Sequence, residues 1–168
     1  MGFRVGDKVV HPSHGAGTIC GIEMHSINTD CASSYYVISL MSASSRRVLV
    51  PVNNVIMIGL RSAMARSKAT EVLEVLNGRP APLSNSFTER QAHLSQHLKS
   101  GDPKEWAELV RNLYWRGLKK KLSATDQEYY NRARDMLAGE IALADGGTIE
   151  ASGKRIEDRL RARFGNAE

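Results

Sequence analysis

A cluster of basic residues in the second half of the chain offers the clearest binding chemistry. Between residues 111 and 121 there is no acid, and the cations are Arg111, Arg116, Lys119, Lys120 and Lys121. On a helix that turns about 100° per residue, Trp115 shares a face with Arg111 and Lys119, its neighbours four positions away on either side. A cationic face around an aromatic ring suits phosphate contacts and packing against a sugar or base. The alternative is an ordinary solvated, charged face.

Two histidines four residues apart, His93 and His97, have the spacing of metal ligands on one face of a helix. A metalloprotease motif would place Glu where this chain has Leu94, and no third ligand follows at a suitable spacing. The chain also lacks a phosphate-binding glycine loop and a nucleophile elbow. We therefore predict that the protein is not an enzyme and has no metal, cofactor or small-molecule substrate. A metal enzyme remains an alternative, and loss of bound metal on replacing both histidines would identify it.

A second basic run lies near the end of the chain. It contains Lys154, Arg155, Arg159, Arg161 and Arg163, with Glu157 and Asp158 among them. Because chain ends are often poorly ordered, this run predicts a frayed helix rather than a binding site.

The sequence has two parts with different patterns of residues, one typical of strands and one typical of helices. Residues 1–61 are rich in Val, Ile, Ser and Gly, and short alternating runs predict strands at 7–11, 18–25, 35–40 and 46–50. Short strands at close spacing predict a small barrel or a strongly bent sheet. Residues 62–168 instead show helical spacing and predict an all-α bundle. The predicted fold class is therefore α+β, with a boundary after residue 61.

The helical half carries clear start and stop signals. Asp102 followed by Pro103 predicts a capped helix start, and Ser123 predicts another. The intervening helix has an apolar stripe at three-and-four spacing: Trp106, Leu109, Val110 and Leu113.

Composition narrows the class of protein. The hydrophobic share is 42% and the net charge is +5, which is compatible with nucleic acid without requiring it. The chain lacks both the roughly 20 apolar residues that span a bilayer and the apolar core of a signal peptide. We therefore expect a cytoplasmic protein with no membrane partner.

The order and spacing of several motifs resemble one family, the CarD-like (CdnL) bacterial transcription regulators. The resemblance covers nearly the whole chain. Its segments are GDKVVHPSHG at 6–15, VLVPV at 48–52, GLR at 59–61, SGD at 100–102, AELVRNL at 107–113, LSA at 122–124, and Ala133 and Leu137 with EIA at 140–142.

The resemblance implies both a fold and a function. The β module would be a small Tudor-like barrel that binds the β subunit of RNA polymerase. Its contacts would lie in an exposed strand region: His25, Arg46, Arg47, Leu49 and Pro51. The helical half would contact promoter DNA at the upstream edge of the melted bubble, largely independently of sequence. There an aromatic residue, usually Trp, wedges into the minor groove and gives a longer-lived open complex.

Departures from the family pattern concern the DNA contacts. The wedge position falls on Phe87, only Arg90 remains of the basic residues near it, and Trp115 stands where many members have Arg. We interpret Phe87 as the wedge and Trp115 as a flanking contact. Two alternatives stay open: Phe87 is a buried anchor of its helix, or the protein is a divergent adaptor that binds polymerase with little or no action on DNA.

Overall fold

The first part of the chain forms one antiparallel sheet. In the computed structural model, which describes residues 2–28, 31–42 and 46–165, the strand order is β4-β3-β2-β1-β5. The strands are β1 (Lys8–His11), β2 (Gly15–Asn28), β3 (Cys31–Leu40), β4 (Arg47–Pro51) and β5 (Arg61–Ser62). Together with the helices that follow, this sheet confirms the predicted α+β class.

The central strands β2 and β3 are longer than predicted. Their outer arms pair Met24 with Ser34, His25 with Ser33 and Ser26 with Ala32. Four of these six residues are polar and the other two, Met24 and Ala32, are exposed, so the arms lack a buried side and are held by backbone pairing. A register shift between Ile19 and Gly21 marks a bulge, and a bulge increases the local twist of a strand.

The core of the sheet unit is small. Val9, Ile19 and Ile38 are fully buried in it, with Tyr36 and Val50 nearly so. The Tyr36 hydroxyl accepts a hydrogen bond from the Phe3 amide at 3.0 Å, and the two rings meet edge to face. A short helix, α1 (Val55–Ile58), precedes β5.

The helical unit follows, and the chain divides into Met1–Ala63 and Met64–Glu168. The helices of the second unit are α2 (Arg66–Val75), α3 (Phe87–Lys99), α4 (Pro103–Lys119), α5 (Ala124–Asp145) and α6 (Ile149–Phe164). Both predicted caps are confirmed: Asp102 accepts from the Lys104 amide at 2.8 Å, and Ser123 accepts from the Asp126 amide at 3.1 Å. No helix in the described part of the chain is long and apolar enough to cross a bilayer.

The apolar stripe of α4 lies at the centre of the helical core. Trp106 is fully buried and its indole N–H donates to the Leu98 carbonyl at 3.1 Å. Val110 and Leu113 are buried as well, in a unit whose other interior residues include Leu137. Each such side chain stabilises the fold by about 1.5–3 kcal/mol.

The last helix, α6, is packed rather than frayed, so the sequence-based expectation for it is wrong. Ile156, Leu160 and Phe164 recur every four residues and are buried. Arg159 forms an ion pair with Glu74 on α2 at 2.6 Å. Buried side chains and this ion pair hold the end of the chain against the bundle.

Candidate functional site

The segment between α2 and α3, residues 76–86, lies along one side of α4. We call it the 76–86 loop. Asn112 and Arg116 are four residues apart on α4, so they share one face of it, and Lys120 directly follows the helix in extended conformation. Each contacts the loop: Asn112 Oδ1 accepts from the Ala81 amide at 3.0 Å, Arg116 Nη1 donates to the Leu83 carbonyl at 3.4 Å, and Lys120 Nζ donates to Asn85 Oδ1 at 2.8 Å.

Arg111 belongs to this internal contact, and the prediction that it lies on an outward basic face is wrong. Its side chain is buried, with Nη1 donating to the Val75 carbonyl at 2.8 Å and Nε to Asn112 at 3.2 Å. Burial lowers the pKa of the Arg111 guanidinium. A Cβ on Gly78 would come within 2.7 Å of Arg111 Nη1, so glycine makes room for the guanidinium.

Arg90 is also buried, which contradicts its predicted contact with DNA. Its Nε donates to both carboxylate oxygens of Asp126, at 3.0 and 3.2 Å, and both side chains are almost fully buried. Its Nη1 donates to the Ser84 carbonyl at 2.8 Å. Arg90 therefore joins the starts of α3 and α5 to the end of the 76–86 loop.

Phe87 emerges from this anchored segment as the first residue of α3. Its side chain is 55% exposed, so the alternative that it is a buried core anchor is wrong. The preceding residue, Ser86, caps the helix and accepts from the Glu89 amide at 3.5 Å. The guanidinium of Arg90 lies 5.8 Å from the centre of the Phe87 ring. The ring is thus held at the surface by a rigid support.

The remaining predicted cations lie at the C-terminal end of α4. Lys119, Lys120 and Lys121 are exposed and Arg116 is half-buried. Lys119 places its ammonium 3.8 Å from the centre of the half-buried Trp115 ring, as neighbours four apart on a helix permit. Lys120 brings positive charge to Asn85, two residues before Phe87.

Three positioning residues escaped the sequence reasoning: Asn85, Asn112 and Asp126. Asp126 follows the predicted cap Ser123 by three residues, and its carboxylate also accepts a hydrogen bond from Gln91 Nε2 at 3.1 Å. A buried carboxylate requires a cationic partner, but the sequence does not reveal which arginine provides it.

In the sheet unit, four of the predicted polymerase contacts share one face. Side chains alternate along a strand and opposed residues share a face. Tyr35 is opposite Pro51, and Val37 is opposite Leu49. Together with the pairs on β2, this register gives one face containing Glu23, His25, Tyr35, Arg47, Leu49 and Pro51.

The exposed part of this face lies at the edge of the sheet. The described partner of β4 is β3 alone, so its other side presents backbone groups suited to an added strand. Arg47 and Leu49 are exposed there, and His25 packs edge to face on Tyr35 at 5.6 Å. Arg46 precedes β4 and is also exposed.

His93 and His97 lie close together, but no third ligand is placed beside them in the described part of the chain. His93 and His97 have ring centres 4.2 Å apart, and burial, with His97 as a smaller cause, lowers the pKa of His93. His97 Nδ1 lies 3.6 Å from a Glu105 carboxylate oxygen. Across the residues that the structure describes, no group of three or more His, Cys, Asp or Glu side chains is arranged to hold a metal ion.

Comparison with known proteins places both units in one family. Residues 3–63 match the model of the CarD-like/TRCF RID domain, and residues 71–157 match that of the CarD C-terminal domain. The chain is also 27% identical over 144 residues to "Putative transcription factor YdeB" of Bacillus subtilis (strain 168), covering 86% of this chain and 93% of that protein. The chain therefore belongs to the CarD-like family of transcription factors.

Proposed function

We propose that this protein regulates transcription by binding the RNA polymerase β subunit with its sheet unit and promoter DNA with its helical unit. The DNA contact would lie at the upstream edge of the melted bubble and change the lifetime of the open complex. The observation that carries the proposal is the exposed Phe87 ring on an anchored support. A protein with these partners works in the cytoplasm.

The chemistry of the Phe87 surface fits a minor-groove wedge. Opening a base step costs a few kcal/mol, and an apolar ring that fills the gap offsets that cost. A wedge must also resist displacement, and the Arg90 contacts with Ser84 and Asp126 fix the backbone from which Phe87 projects. Lys120 and Lys121 supply charge for phosphate oxygens, which carry no sequence information.

The sheet face supports the polymerase contact. Leu49 and Arg47 offer an apolar side chain and a cation beside the free edge of β4, and His25 and Pro51 extend the same face. Strand addition supplies affinity through backbone hydrogen bonds, while side chains beside the edge supply specificity. Arg46 adds a second cation at the start of the edge.

The decisive experiment measures open-complex lifetime on a bubble-forming promoter, with and without the protein. Phe87→Ala should abolish the change in lifetime that the wild type causes. Leu118→Ala is the matched control, because Leu118 is an apolar residue of similar exposure, 51% against 55%. If the two variants behave alike, Phe87 is not the wedge.

Polymerase capture tests the sheet face separately. Leu49→Asp in the full chain should lose capture of the β subunit. Ile22→Asp should retain it, because Ile22 is opposite Tyr36 on the other face of the sheet and is similarly exposed. Equal capture by both variants would move the contact away from this face.

Duplex binding distinguishes a DNA-contacting regulator from a polymerase adaptor without DNA action. The burial of Arg90 and Arg111 favours the adaptor, since it removes two cations from the surface. Binding of duplex DNA should weaken as salt rises, and each of Lys119, Lys120 and Lys121 changed to Gln should reduce the slope by about one unit. If the protein captures polymerase but shows no salt-dependent binding of duplex DNA, it is a polymerase adaptor without action on DNA.

A further inference from the structure

A cavity on the helical unit, apart from the exposed Phe87 ring, has the composition of a ligand site. It has a volume of about 730 Å³ and lies between the 76–86 loop, α4 and the end of α6. Its lining is mostly apolar with two arginines, and its main residues are Arg79, Pro80, Pro82, Trp115, Arg163 and Phe164. Arg163 and Phe164 lie beyond the part of the chain that matches the CarD C-terminal domain.

Trp115 is the aromatic wall of the cavity. The buried tryptophan, Trp106, donates its indole N–H to the Leu98 carbonyl, as buried tryptophans usually do. Trp115 is half-buried, and its N–H has no acceptor among the described residues and is accessible to solvent. The ammonium of Lys119 lies 3.8 Å from its ring centre and supports the indole by a cation–π contact. Trp115 therefore has an unused donor beside an open cavity.

Two arginines supply the charge. Arg79 is exposed and makes no hydrogen bond or ion pair within the described part of the chain. Arg163 is oriented by its Nε, which donates to the Asn77 carbonyl at 2.9 Å, and its guanidinium lies 5.3 Å from the centre of the Phe164 ring. Among the described residues that line the cavity, none carries a carboxylate. Its charge is thus complementary to an anion.

We propose that this cavity binds a nucleotide. The base packs against Trp115 and the proline rings, and the phosphate accepts hydrogen bonds from Arg79 and Arg163. Aromatic rings beside cations are the usual means of holding an unpaired nucleotide. Free nucleotides and the unpaired strand of a melted promoter present this same chemistry. Binding of the unpaired promoter strand rests on the proposed function, whereas binding of a free nucleotide does not.

Titration of the ¹⁵N-labelled full chain, followed through its two indole N–H resonances, tests the proposal. Trp115→Phe assigns the two signals. Deoxyadenosine monophosphate and a short single-stranded oligonucleotide should shift the Trp115 signal and leave that of Trp106 in place. Saturation at a lower nucleotide concentration by the oligonucleotide supports the unpaired strand as the source, and the reverse supports a free nucleotide.

Three outcomes would overturn the proposal. They are no shift with either probe, an equal shift with inorganic phosphate alone, and equal binding of fully paired duplex. The mononucleotide titration contains neither duplex DNA nor polymerase. A negative result in it therefore does not bear on the open-complex experiment with Phe87, and a negative open-complex result does not bear on the titration.

Variants locate the site. Trp115→Ala, which lacks the indole reporter and is therefore followed by calorimetric titration beside the wild type, should weaken nucleotide binding about fivefold or more, the usual loss for one stacked base. Arg79→Gln should weaken the monophosphate while leaving deoxyadenosine unchanged, and it removes an exposed side chain, so the fold is retained. Arg132→Gln, an exposed arginine on α5, is the charge control. If Arg132→Gln weakens binding as much as Arg79→Gln, the effect is one of net charge and the cavity is not the site.

Discussion

The cations beneath the 76–86 loop and those at the C-terminal end of α4 have similar chemistry and opposite surroundings. Arg90 and Arg111 are buried. The Arg90 guanidinium donates to Asp126 and to a backbone carbonyl, and the Arg111 guanidinium donates to a backbone carbonyl. Lys120 and Lys121 are exposed. Arginine suits the buried positions because its planar fork of donors satisfies several acceptors at once. The basic character of this surface therefore has two parts: buried arginines hold its shape, and exposed lysines are available to bind a partner.

The largest effect should come from breaking the buried ion pair. Arg90→Met leaves the Asp126 carboxylate buried without its partner and should reduce the free energy of unfolding by about 3–5 kcal/mol. Denaturant unfolding measures this loss. The double variant with Asp126→Leu should recover most of it, because an apolar pair of similar volume is often neutral. A double variant as unstable as Arg90→Met would show that the loss does not come from the isolated carboxylate.

A smaller loss is expected at Arg111. Arg111→Met removes the hydrogen bond to the Val75 carbonyl and should reduce the free energy of unfolding by about 1.5–3 kcal/mol. Arg132→Met, on the surface of α5, should change it by no more than about 0.5 kcal/mol. Equal unfolding curves for the two variants would show that the buried Arg111 contributes no more to stability than the exposed Arg132.

Phe87→Ala should scarcely change stability. Since the ring is 55% exposed, we expect a change in the free energy of unfolding within about 0.5 kcal/mol, against about 3–5 kcal/mol for a core phenylalanine. Thermal melting checks this directly. A large fall in melting temperature would place the ring in the core and invalidate its use as a wedge.

His93 is an exposed residue of α3, and the effect of changing it should be the smallest. Burial lowers its pKa from 6.5 in the folded state, so the unfolded chain binds the proton more readily. Stability is then fully present above pH 6.5 and declines as pH falls from that value through the lower folded pKa. His93→Gln should flatten this part of the pH profile of unfolding slightly. A steeper profile in the variant would contradict the direction of the shift.

Patterns within one element were predictable from the sequence. The stripe of α4, from Trp106 to Leu113, and the caps at Asp102 and Ser123 depend on residues a few positions apart, and the structure contains them all. The short strands were predictable only where one side is buried. The outer arms of β2 and β3, around Ser26 and Ser33, pair through backbone groups that any residue provides.

The burial of Arg90 and Arg111 could not be predicted because their acceptors are distant. Helical projection places Arg111 beside Trp115, but it cannot show that the Val75 carbonyl covers that side of α4. Asp126 likewise gives the signal of a helix cap whether or not an arginine reaches it. The exposed position of Phe87 follows from these same contacts, which is why the sequence left both of its interpretations open.

The attachment of the 76–86 loop to α4 also constrains how the protein can evolve and be engineered. Surface loops usually accept insertions and deletions at little cost. Here the Ala81 amide and the Leu83 carbonyl meet Asn112 and Arg116, which stand four positions apart on a helix. One added or deleted residue would displace the chain by about 3.3–3.6 Å, and these contacts would fail together. The length of this loop should therefore be fixed in working relatives, even where its residues differ.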